Sequence, residues 1–251
     1  MNFLNPDLAV NYRSPSQRVR VMTEFWTGEN VFCPSCGYQI IHHTNNRPVA
    51  DFYCKSCSED FELKSKKSIN LGNIVPDGAY GTMIERLESS TNPSFFFLTY
   101  KQNLEISNFL VIPKFFIRSE NIIKAPRVLK DRGEYLMCNI SLLGIPESGK
   151  IFYIQDGKEI KKDIILDSWK KTCFLGNQKG ETKGWLLDII DCIEKLGKKD
   201  FSIDEMYNFK DLLKVKHPQN NFIEDKIRQQ LQVLRDKGYL EFVRRGRYRV
   251  L

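Results

Sequence analysis

The sequence predicts an α+β protein in two parts, a large mixed domain followed by a small C-terminal winged helix-turn-helix. Three observations lead there. Two CxxC pairs lie close together near the start, short apolar runs of strand length alternate with helical patterns over the first 180 residues, and the chain closes with helices and a basic hairpin.

The composition supports a packed protein. The 251 residues are 41% hydrophobic, 27% charged and 12% aromatic, which excludes disorder, collagen and a long coiled coil. The start, MNFLNPDLAV, lacks a basic segment followed by a long apolar one, and no window reaches the roughly 18 apolar residues of a membrane span. A soluble, unexported protein without a membrane partner is expected. The formal charge of +7 is unevenly placed. From Lys226 to Leu251 there are eight cations and two anions, so this segment carries +6 and the rest is nearly neutral.

The elements follow in order. Val19, Met22 and Trp26 at helical spacing predict a helix over Ser16 to Trp26. PVADFYC and EDFELKS alternate as strands, the second placing Phe61 and Leu63 on one face and Glu62 and Lys64 on the other. AYGTMIERLESS is a helix candidate, PSFFFLTY and ISNFLVIP read as buried strands, and IFYIQDGKEI reads as a hairpin about Asp156 and Gly157. GNQKGETKG, residues 176–184, interrupts every periodic pattern and marks a boundary between domains at 1–180 and 184–251. Beyond it, Trp185 to Leu196 forms an amphipathic helix, and Ser202 with Glu205 makes a capping box for a second. A third begins near Asn221 with Ile223, Ile227, Leu231 and Leu234 on one stripe, before two short strands hinged near Gly246.

Seven cysteines, an odd number, argue against a disulfide framework. Cys33 and Cys36 form one CxxC, Cys54 and Cys57 another, with seventeen residues between. Each such turn presents two sulfurs to one tetrahedral ion, so the four predict a closed, structural Zn²⁺ site contributing on the order of 10 kcal/mol to folding. Four thiolates would also suit an iron-sulfur cluster. His42 and His43 lie between the pairs and are expected to hydrogen-bond rather than ligate.

Glu62 and Lys64, two apart on a strand, share a face that Asp51 on the neighbouring strand can join. Two carboxylates suit a hard ion such as Mg²⁺, and a lysine beside them can orient a water or offset charge on a phosphate. Asp51, ten residues, then Glu62-Leu63-Lys64 resembles the PD-(D/E)xK nuclease motif, with Ala50 in place of the proline that usually precedes the first acid. The match is short, and an exposed strand with ordinary charges would read the same. A longer series, NNRPVADFYC, SEDFELKSKK, DGAY, NPSFFFLTY, KIRQQLQVLRDK and RGRYR, resembles the methyl-directed Type II restriction endonucleases over almost the whole chain.

That resemblance implies a PD-(D/E)xK restriction-endonuclease-like core with a zinc site, joined to a winged helix, cutting double-stranded GATC whose adenine carries an N6-methyl group. It implies Mg²⁺ on Asp51, Glu62 and the Leu63 carbonyl, Lys64 assisting water attack, and Zn²⁺ on Cys33, Cys36, Cys54 and Cys57. It further implies a role in restricting methylated foreign DNA in a bacterial cytoplasm. A tryptophan lies near the methylated base in such enzymes, where this chain has Tyr135; that ring could equally be an ordinary core or surface aromatic.

For the reader, Asn220, Asn221, Lys226, Arg228 and Gln229 are candidates for base contacts, and Arg244, Arg245, Arg247 and Arg249 for phosphates. A solvated basic surface is the plainer alternative. No obligate protein partner is called for, and a monomer is expected. The competing classes are a zinc-containing winged-helix regulator without catalysis and a repair nuclease.

Overall fold

The computed structural model describes residues 2–43, 50–89, 92–129, 135–178 and 180–251, with the main chain alone at 88, 126–129 and 135. The start of NNRPVADFYC, through Val49, lies outside the described residues, as does the Tyr135 side chain. Contacts divide the chain into two compact units, one of residues 1–143 and 149–169, the other of 144–148 and 170–251.

In the first unit, α1 (Pro15–Asn30) begins with Pro15, whose fixed φ suits the first helical position. Met22 and Trp26 are buried, and α1 extends a full turn beyond the expected Trp26. Three strands follow, β1 (Ile41–His42), β2 (Phe52–Tyr53) and β3 (Asp60–Lys67), each antiparallel to the one before. Next come β4 (Ile74–Ala79), α2 (Tyr80–Glu88), β5 (Ser94–Tyr100) and β6 (Ile106–Ile112). β3 and β5 run parallel, in register from Phe61 opposite Ser94 to Lys67 opposite Tyr100. Parallel neighbours need a crossover, and β4 with α2 supplies it.

β7 (Ile122–Leu129), β8 (Tyr135–Ser141), β9 (Ile151–Gln155), β10 (Lys158–Glu159) and α3 (Lys162–Thr172) follow. Seven strands form one sheet in the order β1-β2-β3-β5-β6-β9-β10, and β4-β8-β7 form a second. Every residue of β5 and β6 is buried, which is why PSFFFLTY and ISNFLVIP are continuous apolar runs rather than alternating ones. The core is strongly aromatic. Phe96 stacks on Phe61 with ring centroids 4.6 Å apart, and Trp26 of α1 meets Phe109 at 5.4 Å. Such pairs add about 0.5–1.5 kcal/mol each to area burial, and this one fixes α1 on the sheet. The β9–β10 hairpin turns at Asp156 (φ 50°) and Gly157 (φ 78°), the double positive φ that a two-residue turn requires. The strand β4 was not legible in the sequence because Pro76 and Gly78 interrupt it. As an edge strand it tolerates a missing N–H.

In the second unit the stretch expected as an open boundary is partly helical, because α4 (Gly180–Lys195) already begins at Gly180. Its apolar face buries Trp185, Leu186, Ile189, Ile190 and Ile193. The expected second helix is two short ones, α5 (Ile203–Tyr207) and α6 (Lys210–Lys216), preceded by β11 (Asp200–Ser202). The capping box forms as predicted: Ser202 Oγ accepts from Glu205 N at 3.2 Å, and Ser202 N donates to Glu205 Oε2 at 2.7 Å. α7 (Ile223–Asp236) buries Ile223, Ile227, Leu231 and Leu234 as its spacing required. β12 (Leu240–Arg244) and β13 (Arg247–Val250) form the hairpin, turning through Gly246 at φ +69°. β11 adds a third strand beside β13, giving the order β11-β13-β12.

Asp188 is 2% exposed yet satisfied, accepting from Lys216 Nζ at 2.6 Å and His217 Nε2 at 2.8 Å. The His217 ring lies flat on Trp185 at 3.7 Å, so the end of α6 is tied to α4 just before the turn into α7.

Candidate active site, metal centre and DNA-reading surface

The four predicted cysteines converge. Their sulfurs all lie within 4.8 Å of one another, with Cys33 and Cys57 3.5 Å apart and Cys36 and Cys54 3.4 Å apart. Zinc–sulfur bonds of about 2.3 Å in a tetrahedron place sulfurs a little under 4 Å apart, so the cluster could hold a zinc ion. Cys33 and Cys54 are buried, which suits a structural site. Burial pushes the Cys33 and Cys57 thiols up; it acts in the same direction on Cys36, but hydrogen bonding at the Tyr38 backbone and from neighbouring thiols brings that one down to about 7. His42 and His43 hydrogen-bond elsewhere, to Glu24 and Asp60, each at 3.1 Å.

The two cysteine turns frame the strands that carry the acids. Asp51 sits just ahead of β2, where its N–H donates to Phe61 O at 2.9 Å. Its carboxylate Oδ2 accepts from the N–H of Leu63 at 2.7 Å. A strand residue's N–H and C=O face the same edge, so the Leu63 carbonyl also faces the edge beside Asp51. Glu62 and Lys64 share a face as expected, Lys64 Nζ donating to Glu62 Oε1 at 2.6 Å. Asp51, Glu62 and Leu63 all line one cleft of about 550 Å³, with Arg20 and Glu24 of α1 on its other wall. The donors offered there are hard oxygens, a set that fits Mg²⁺.

Burial pushes the Asp51 carboxyl above its ordinary value. Glu62 and Glu24 add to that, against the Leu63 N–H and Arg20. For Lys64 burial acts to lower the ammonium, but Glu62 and Asp77 outweigh it and the net shift is upward. The Lys64 side chain is therefore held as a cation.

Two residues of this site were absent from the sequence reading. Asp77 on β4, only 5% exposed, contacts Lys64 Nζ, and Arg86 on α2 donates to Glu62 Oε2 at 2.8 Å. Both arrive on the crossover between β3 and β5. DGAY marked the neighbourhood of Asp77, but nothing in the spacing showed that it folds back onto β3.

In the second unit the candidate DNA contacts divide. Arg244, Arg245 and Arg247 are exposed about the Gly246 turn, and Asn221 and Gln229 are exposed on or beside α7. Asn220 Oδ1 accepts from Phe222 N at 2.8 Å and so shapes the turn into α7. Lys226 leans over the Trp185 ring at 6.0 Å, and Arg228 is engaged by Tyr207 and Asp225. Arg249 does not stand free with the other wing arginines, since it pairs across the sheet with Asp200 at 2.8 Å. Its register opposite Asp200 explains this. Tyr135 opens β8, and its ring lies outside the described residues. Phe222, unanticipated from the sequence, is 74% exposed at the start of α7.

A family model described as DpnI, the Dam-replacing family, matches residues 1–178, and a second, the Dam-replacing HTH domain, matches residues 181–250. The chain belongs to the Dam-replacing family. This is a family of methylation-dependent restriction enzymes, and its HTH domain is a DNA-binding module. The mixed α+β architecture, the cysteine cluster and the C-terminal winged helix all agree with membership in the Dam-replacing family. Among the described residues, no helix is long and apolar enough to cross a membrane.

Proposed function

We propose that the protein is a Mg²⁺-dependent Type II endonuclease that hydrolyses phosphodiester bonds in duplex GATC when the adenine carries an N6-methyl group. The observation that carries the catalytic half is that Asp51 and Glu62 line one cleft, with Lys64 bonded to Glu62, in a chain of the Dam-replacing family. Asp51, Glu62 and the Leu63 carbonyl would hold Mg²⁺, which supplies Lewis-acid activation of water and charge neutralisation at the phosphate. The Leu63 N–H fixes the Asp51 carboxylate so that its other oxygen faces the cleft. Lys64 has three N–H donors, two of them directed at Glu62 and Asp77, which leaves one for the attacking water or a phosphate oxygen. Zn²⁺ on the four cysteines would be structural, holding β2 and its neighbours in place.

The reading half belongs to the second unit. Asparagine just ahead of α7 and glutamine on it suit adenine, and arginine suits guanine and phosphate. An N6-methyl group removes one amino hydrogen and adds apolar surface in the major groove. Phe222, exposed beside Asn221, offers apolar surface of that kind. The physiological role would be restriction of methylated foreign DNA in the cytoplasm, by a monomer, in a host whose own GATC sites are unmethylated. The 1–180 part would carry the chemistry and the 184–251 part much of the attraction to DNA.

The test is to incubate the protein and Mg²⁺ with one plasmid prepared with and without adenine methylation. Cutting of the methylated plasmid alone is expected. Cutting of both would refute methyl dependence, and cutting of neither would favour a non-catalytic regulator.

A further inference from the structure

We infer that Arg20 is the side chain that grips the phosphate being cut, an inference that rests on the nuclease reading of Asp51, Glu62 and Lys64. Hydrolysis of a phosphodiester builds negative charge on the non-bridging oxygens, and a cation with unused donors beside the metal-binding acids stabilises it. Among the described residues, Lys64, Arg86 and Arg20 pair with those acids. Lys64 and Arg86 have side chains only 16% exposed and are drawn onto Glu62, Lys64 onto Asp77 as well. Arg20 differs: its side chain is 65% exposed, it lines the cleft opposite β3, and its Nη2 lies 4.0 Å from Asp51 Oδ1.

The guanidinium is also aimed. Arg20 Nε donates to Glu24, and Glu24 is held from its other oxygen by His42 Nε2 at 3.1 Å. With Nε fixed, the two terminal nitrogens remain to fork onto a phosphate, the geometry that guanidinium matches best. The Arg20–Glu24 pair serves poorly as a mere helix staple. The cation precedes the acid, the weaker order on a helix, and such pairs contribute only about 0.2–0.5 kcal/mol. Glu24 is moreover 17% exposed and shared with a neighbouring strand, which an ordinary surface pair does not require. Lys66 and Lys67 reach the same cleft but lie two and three residues beyond Lys64, at about 3.3 Å per residue, towards its far end.

The test is a cycle between the protein and the phosphate. Wild type first cuts an adenine-methylated GATC duplex with Mg²⁺, which locates the cleaved phosphate. A second duplex then carries an uncharged methylphosphonate there, and binding of both is measured without added Mg²⁺ for wild type, Arg20→Gln and Arg20→Lys. Arg20→Gln should bind the ordinary duplex about tenfold more weakly, with a salt slope smaller by about 0.9, and cut it about 10²–10³-fold more slowly. On the methylphosphonate duplex wild type and Arg20→Gln should bind alike. Arg20→Lys should recover part of both losses, which separates lost charge from misfolding. Losses that simply add across the cycle, or cleavage by Arg20→Gln at the wild-type rate, would overturn the inference while leaving the nuclease reading intact. A wild type that cuts no methylated duplex would overturn both.

Discussion

The carboxylate of Asp51 accepts a hydrogen bond from the backbone N–H of Leu63 at 2.7 Å, so an acid placed before one strand caps the open edge of the next. The bond has a double consequence, since it satisfies a strand N–H and fixes the acid against Glu62. Asp51→Asn should keep the acceptor and hence the fold, whereas Asp51→Ala should leave the Leu63 N–H unmet at about 1–3 kcal/mol. Both should abolish cleavage of methylated GATC. Only the alanine variant should melt several degrees lower, and equal melting of the two would show that the bond adds little.

Asp77 lies on the crossover and contacts Lys64 alongside Glu62. We expect Asp77→Ala to slow cleavage by about 10²-fold with little change in DNA affinity, since the lysine loses its second anchor. Asp77→Glu should restore part of the rate. If affinity fell in step with the rate, Asp77 would be holding the fold rather than Lys64.

For the cysteine cluster, metal analysis of the purified protein should find one zinc per chain. Cys33→Ser should lose it and unfold at markedly lower temperature, because a bound ion would contribute on the order of 10 kcal/mol. Retained stability without zinc would remove the ion from the account of the fold.

The wing separates its arginines. Replacing Arg245 or Arg247 by alanine should lower the salt slope of DNA binding by about 0.9 each, as a lost phosphate contact requires. Arg249→Ala should leave the slope nearly unchanged, its guanidinium being occupied by Asp200. Identical slopes for all three variants would count against the pairing.

The cap at Ser202 offers a test of stability and its pH dependence. Ser202→Ala should destabilise the second unit by about 1 kcal/mol. Glu205 is drawn down to about 2 by Lys198 and by the Ser202 backbone, from an ordinary value of 4.5. A depressed carboxyl stabilises the folded form above its unfolded pKa, so the contribution is complete above pH 4.5 and fades as pH falls towards 2. Thermal melts of wild type and Glu205→Gln should therefore converge on acidification through that window. A gap that stayed constant would contradict it.

Much of this was legible in order along the chain. The alternation of EDFELKS put Glu62 and Lys64 on one face, and their 2.6 Å contact follows from that period of two. The α7 stripe, the Ser202 box and the Asp156-Gly157 turn are equally local, each set by residues within a few positions of one another. The split of the second helix into α5 and α6, and the helical start at Gly180, were not, because packing overrides weak propensity there.

By itself the sequence determined the strongly periodic strands and helices, the four cysteines, the acid–lysine spacing and the concentration of positive charge at the end, since all depend on periodicity or short separations. Only the tertiary structure decided that Asp77 and Arg86 meet Lys64 and Glu62, and that Arg20 faces Asp51 across the cleft. The reason is topological. A parallel pairing of β3 with β5 sends the chain out through β4 and α2 and back, and Trp26 packed on Phe109 sets α1 against the sheet with Arg20 beside Asp51, arrangements that no local spacing encodes.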